Sequence, residues 1–99
     1  MLVLGVAYKK DIDDVRESPA LDIIELLRQK GADIRYHDPY VSEFAHNGSS
    51  MRSEGDFDAI LTSADCVVVV TDHSVYDWPM IQQRAACIVD TRNIYANRL

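Results

Sequence analysis

The stretch Cys66-Val67-Val68-Val69-Val70 constrains the fold more than any other feature of the chain. Four consecutive valines have stiff, β-branched side chains that fit a pleated strand, and they point alternately to its two faces. A strand that is apolar on both faces must be covered on both faces, which is the situation of an inner strand of a parallel sheet between two helical layers. The neighbouring segments agree. Phe57 to Ser63 reads as a short helix leading into the valine strand. Asp77, of the helix-capping type, and Pro79 then mark a second helix from Trp78 to Ala85, followed by a strand at Cys87 to Asp90.

The first half repeats the alternation. Leu2 to Tyr8 is a short apolar run bounded by charge and reads as a buried strand. Ser18 is an N-cap type and Pro19 suits a first helical position. Ala20, Ile23, Ile24 and Leu27 recur on one face, so the spacing predicts a helix from Pro19 to Lys30, with Gly31 as its C-terminal stop. Asp33 to His37 is a second strand, ended by the turn signal Asp38-Pro39. Val41 to Asp56 is rich in Ser, Gly, Asn and charge and reads as a loop, with a short edge strand around Met51. Strands that alternate with helices imply right-handed crossovers and an α/β fold, a Rossmann-like three-layer sandwich with a mainly parallel sheet, in one domain over residues 1–99.

Composition limits the function. The 99 residues carry a net charge of −6, which argues against a nucleic-acid surface and requires any anionic ligand to meet a local cluster of positive charge. No apolar run has the roughly 18 residues of a membrane span, and Met1-Leu2-Val3-Leu4-Gly5 lacks the basic start of a signal peptide, so a soluble, cytoplasmic protein is expected. Cys66 and Cys87 lack the C-x-x-C spacing of metal or redox sites and read as reduced core residues without a catalytic role.

In an open α/β sheet, ligands bind outside the carboxyl ends of the strands. Those ends are polar here: Tyr8-Lys9-Lys10, His37-Asp38, Thr71-Asp72-His73 and Thr91-Arg92-Asn93. Lys9 and Arg92 bring positive charge suited to a phosphate or carboxylate, and Asp38 and Asp72 are placed to orient those cations or to read ribose hydroxyls. The plainer alternative is that such loops are polar in every α/β protein. Asp11, Asp13, Asp14 and Glu17 then only complement the dipole of the following helix, and Arg16 tethers the acidic loop or contacts ligand. A dinucleotide loop is not in the sequence, since G-x-G-x-x-G is absent and Gly5 stands alone within the first strand. His37, His46 and His73 match no common metal-site spacing.

Leu4-Gly5-Val6-Ala7-Tyr8-Lys9-Lys10, Asp14-Val15-Arg16-Glu17-Ser18-Pro19, Tyr36-His37-Asp38-Pro39, Val69-Val70-Thr71-Asp72-His73 and Val89-Asp90-Thr91-Arg92-Asn93 together resemble the C-terminal domain of the UDP-glucose/GDP-mannose dehydrogenase family. The wording is most similar to the dehydrogenases of UDP-N-acetylhexosamines, UDP-GlcNAc or UDP-ManNAc, which serve polysaccharide biosynthesis. The resemblance implies a division of labour: an N-terminal domain for NAD, a central segment with the catalytic cysteine, and a C-terminal domain that holds the UDP-sugar. It implies that Tyr8 lines the nucleotide pocket, Lys9 contacts the nucleotide-sugar, and Arg92 reaches the sugar or its phosphates, while Arg16 and Ser18 are structural. In the parent enzyme, NAD would take two hydrides in converting the C6 alcohol to a carboxylate through a cysteine-bound intermediate.

Neither the cofactor loop nor the catalytic segment is in this sequence, so no catalytic residue, bound cofactor or metal is expected in it. The chain is expected to be a fragment of a larger dehydrogenase, inactive alone. The partners implied are the UDP-sugar substrate and the missing N-terminal and central domains. The competing reading is a non-catalytic interaction or oligomerisation module, without ligand, that docks a partner or a second copy through an exposed apolar patch.

Overall fold

The computed structural model describes residues 1–16, 18–46, 48–92 and 94. Four short strands, β1 (Leu2–Leu4), β2 (Arg35–His37), β5 (Val67–Val69) and β6 (Ile88–Asp90), form a parallel sheet in the order β2-β1-β5-β6. Val3 stands opposite Tyr36 on one side and Val68 on the other, and Val68 opposite Val89. Helix α1 (Pro19–Gln29) links β1 to β2; α2 (Phe57–Ser63) and α3 (Trp78–Arg84) flank β5. The chain thus moves outward from β1 in one direction and returns to build the other half of the sheet. That order puts a reversal between β1 and β5.

The alternation of side chains divides the interior into two layers. Val3, Val68 and Val70 pack with Ala20, Leu21 and Ile24 of α1, while Leu2, Leu4, Val67 and Val69 pack with Leu61 of α2 and Trp78 and Ile81 of α3. The valine run is therefore buried from both sides, as its composition requires. The helix starts are fixed by side chains: Ser18, Asp56 and Asp77 each accept an N–H of the first turn. Gly31, with φ of 91°, follows the end of α1.

Two expectations change. The first strand ends at Leu4 instead of continuing to Tyr8, because Gly5 leaves the ladder with φ of 83°. A Cβ at Gly5 would lie 2.4 Å from the Thr71 carbonyl oxygen, so glycine is needed for conformation and for space. The segment expected as a loop from Val41 to Asp56 is largely an antiparallel hairpin, β3 (Glu43–His46) with β4 (Ser49–Arg52), so the edge strand around Met51 has a partner. Phe44 buries its ring 5.0 Å from that of Tyr36, which adds the hairpin to the α1 layer.

The cysteines also depart from expectation. Cys66 is half-buried and Cys87 is exposed, because Cys87 precedes the first ladder residue of the edge strand β6. No helix among the described residues is long and apolar enough to cross a membrane.

Candidate functional site

The reversal of strand order between β1 and β5 opens the sheet's carboxyl edge, where chains leaving the two strands diverge. A cleft of about 510 Å³ lies there, lined by Lys10, Asp72, Ser74, Tyr76, Trp78, Arg92 and Ile94. Its size is within the range of small-molecule sites, roughly 300–1,000 Å³. Arg92 is held by its backbone N–H on Asp90 at 3.1 Å and by its Nε–H on the Val70 carbonyl at 2.6 Å. The neighbouring Thr91 hydroxyl donates to the Val69 carbonyl. The Nε–H bond ties the guanidinium to the end of β5, and Arg92 lines the cleft. Lys10 brings a second cation to the same cleft.

Tyr8 and Lys9 occupy the adjoining turn. Both are exposed, with the Lys9 ammonium 5.9 Å from the Tyr8 ring centre. Neither lines the cleft itself, whereas the exposed Lys10 does. Asn93 and Glu17 lie outside the described residues.

A network unreadable from local spacing holds this edge in shape. Asp38 is fully buried, and its Oδ2 accepts the N–H of Val6 at 2.8 Å, the N–H of Ala7 at 3.2 Å and Nε2–H of His73 at 2.8 Å. Its Oδ1 accepts the Tyr40 N–H at 2.8 Å. Burial pushes this carboxyl up, but the bonds from His73, Val6 and Tyr40 outweigh burial and hold it below the usual carboxylate range. Asp38 therefore neither reads a ribose nor orients Lys9 or Arg92. Its four donors are all internal.

His73 carries the network onward. Its Nδ1 accepts the Asp11 N–H at 2.8 Å, so that nitrogen bears no proton, and Nε2 carries the hydrogen given to Asp38. Asp11, at φ of 64°, accepts the Ser74 N–H and the Ser74 hydroxyl, both at 2.7 Å. Those two bonds hold the Asp11 carboxyl below its ordinary value. Asp11 thus clamps the loop after β1 to the loop after β5, a role beyond helix-dipole complementarity. Arg16 grips Asp14 with Nε–H and an Nη–H, at 3.1 and 3.0 Å, which bears out the tether reading.

An aromatic group floors the same edge. Tyr76 lies 5.1 Å from Trp78, 5.4 Å from Phe57 and 5.5 Å from His37, ring centre to ring centre. The Tyr76 hydroxyl donates to the His37 carbonyl at 2.9 Å and accepts from His37 Nδ1 at 2.7 Å.

A dinucleotide does not fit the turn after β1, because the Val6 and Ala7 amides that would face a pyrophosphate already hold Asp38. Away from the cleft, Asp22, Glu25 and His46 place one ligand atom each within 4.8 Å of one another between α1 and the hairpin. The Asp22 and Glu25 carboxylate oxygens lie 3.8 and 3.6 Å from His46 Nε2, with Asp22 highly exposed. His37 and His73 belong to the separate networks above. The arrangement at the cleft suits a ligand with a charged anionic part and a planar or apolar part, since cations, one acid and aromatic side chains meet there.

Comparison with known proteins points the same way. Residues 2–97 match the UDP binding domain of the UDP-glucose/GDP-mannose dehydrogenase family. The UDP-N-acetyl-D-mannosamine dehydrogenase of Pyrococcus horikoshii is 35% identical over 97 residues, covering 93% of this chain and 21% of that protein. The UDP-glucose 6-dehydrogenase of Bacillus subtilis is 31% identical, covering 95% and 22%. The solved UDP-D-ManNAc dehydrogenase of Pyrococcus horikoshii superposes with a TM-score of 0.71 at 34% identity, over 94% of this chain and 21% of that one. A UDP-glucose dehydrogenase from Pyrobaculum islandicum gives 0.71 at 32% identity, over 98% and 22%. The chain spans about a fifth of the length of these relatives. With a doubly wound sheet, a cationic cleft at its reversal and a match over nearly every residue, the chain belongs to the UDP-glucose/GDP-mannose dehydrogenase family and corresponds to its UDP-binding domain.

Proposed function

We propose that this chain holds the UDP-sugar in a nucleotide-sugar 6-dehydrogenase that oxidises the C6 alcohol of a UDP-N-acetylhexosamine to a uronate with NAD. The observation that carries the reading is the convergence of Arg92 and Lys10 on one cleft at the strand-order reversal, floored by Tyr76 and Trp78. Lys9 and Tyr8, in the adjoining turn, complete the nucleotide-sugar contacts. Arg92 meets the phosphates or the sugar, and the clamp of Asp38, His73, Asp11 and Ser74 keeps the lysine turn in register with it. In this reading the chain is the C-terminal part of a larger enzyme, in the cytoplasm. Its other parts, absent from this sequence, supply NAD binding and the reacting cysteine. The contribution of this part is positioning, which lowers a barrier without a bond-making residue.

Calorimetric titration with UDP and UDP-N-acetylglucosamine tests the reading. Binding is expected for both, with Arg92→Ala and Lys9→Ala each weakening it by about tenfold, as expected for a lost charge-assisted contact. Wild-type affinity in the double variant would refute the assignment. A second reading, an interaction module, draws support from the edge strand β6 and its exposed Val89. A solution mass above one chain, unchanged by nucleotide, together with no nucleotide binding, would favour it.

A further inference from the structure

Cys66 and Cys87 take no part in the cleft; they lie at the opposite edge of the sheet, where β5 and β6 begin. Val67 stands opposite Ile88, and the Val67 N–H donates to the Cys87 carbonyl at 2.8 Å. That bond belongs to the first pair of the parallel ladder, and Cys66 and Cys87 are the residues immediately before that pair on the two strands, so the register brings them side by side where the ladder begins. Adjacent strands run about 4.8 Å apart, inside the range of about 4.4–6.8 Å between Cα atoms that a disulfide spans. The Cys66 thiol lies within electrostatic reach of Cys87, and its Sγ–H donates to the Val67 carbonyl at 4.0 Å. The two cysteines differ in surroundings. Cys66 is half-buried, and burial followed by the neighbouring Cys87 and Asp65 pushes its thiol up, whereas Cys87 is exposed.

We propose that Cys66 and Cys87 form a cross-strand dithiol that closes to an intramolecular disulfide when a peroxide reaches the exposed Cys87. The Cys87 thiolate attacks one peroxide oxygen; the O–O bond breaks, and Cys87 becomes a sulfenic acid with release of one water after proton uptake. The Cys66 sulfur then attacks the sulfenyl sulfur. The S–S bond forms as the S–O bond breaks, and the Cys66 proton leaves with the departing hydroxide as a second water. Two thiols lose two electrons in total and the peroxide gains them. The product staples β6, an edge strand, to the central strand β5 at the end of the sheet remote from the cleft.

The test is the intact mass of the 99-residue chain after hydrogen peroxide, denaturation and alkylation with N-ethylmaleimide. The expected product is monomeric, lighter by two hydrogens and unalkylated, and dithiothreitol returns both alkylation sites. Cys66→Ser is expected to stall at a Cys87 sulfenic acid that dimedone captures. Cys87→Ser is expected to slow peroxide consumption at the remaining thiol by at least about tenfold, as exposure governs reactivity. The oxidised wild type should melt higher than the reduced protein, with no such shift in Cys66→Ser. Two alkylated thiols after peroxide treatment, a Cys87 sulfinic acid beside an alkylatable Cys66, or covalent dimers as the main product would each overturn the proposal. UDP titration of the oxidised and reduced forms separates this inference from the binding assignment, because the staple lies away from the cleft and should leave affinity unchanged.

Discussion

At the scale of single residues, the carboxylate of Asp38 holds more of the candidate site together than any residue that lines the cleft. One oxygen receives two backbone amides and His73, and the side chains of both members of the pair are fully buried. Removing it leaves three buried donors without an acceptor. Asp38→Ala is therefore expected to cost about 3 kcal/mol or more, since each buried donor left unsatisfied costs about 1–3 kcal/mol. Asp38→Asn keeps one acceptor and should fall between that variant and wild type. Urea unfolding measures both, and a loss below about 1 kcal/mol for the alanine variant would contradict the network. Gly5 has a comparable role through geometry alone. Its positive φ and the approach of Thr71 make Gly5→Ala costly by about 3 kcal/mol, the sum of a left-handed conformation and an overpacked contact. A Gly5→Ala protein as stable as wild type would show that the chain can leave the sheet another way.

At the scale of elements, the parts that were legible in the sequence are those whose signals are local. Helix α1 could be read from Ser18, Pro19 and a repeated apolar face, and it ends one residue before the expected Lys30. The valine strand was legible because four β-branched residues in a row have few other places to go. The hairpin was missed because Glu43-Phe44-Ala45-His46 buries one large side chain and has little alternation to detect, although Asn47-Gly48 is a strong hairpin signal in sequence. In the site, Arg92 was legible as a strand-end cation, but the clamp was not. Asp11 meets Ser74 across 63 positions, and no spacing rule connects residues that only the sheet order brings together. The clamp makes a local prediction. Asp11→Ala should speed amide exchange at Ser74, whose N–H loses its acceptor, while exchange in the interior of α1 stays as in wild type. Unchanged exchange at Ser74 would mean that the two loops are held without Asp11.

At the scale of the whole molecule, the buried titratable groups set a stability plateau bounded on both sides. Burial holds His37 below its ordinary value of 6.5, despite the pull of Asp38 in the other direction, so the unfolded chain takes up its proton first. Stability from that group is complete above about pH 6.5 and is lost as pH falls toward the folded value. Asp38, held below 3.8, adds a second loss as pH falls from the carboxylate range through its own folded value. On the alkaline side, burial pushes Tyr36 up to about 12 from 10.0, with Asp38 adding to the shift, and burial also pushes Tyr76 up strongly. A raised phenol favours the neutral folded form, so this contribution is complete below about pH 10 and is lost as pH rises from there toward the folded values. Burial also raises the Cys66 thiol from its ordinary value of 9.0, which adds an earlier alkaline loss, so the urea midpoint should be flat between about pH 6.5 and 9 and should fall beyond either limit. His37→Gln should remove the first acid step and leave the later one. Tyr76→Phe should weaken the alkaline fall, because one of the two buried phenols no longer ionises on unfolding. A midpoint that rises as pH drops from 6.5 to 5 would reverse the sign required of a neutral, buried His37, because the folded ring would then hold its proton more tightly than the unfolded chain does.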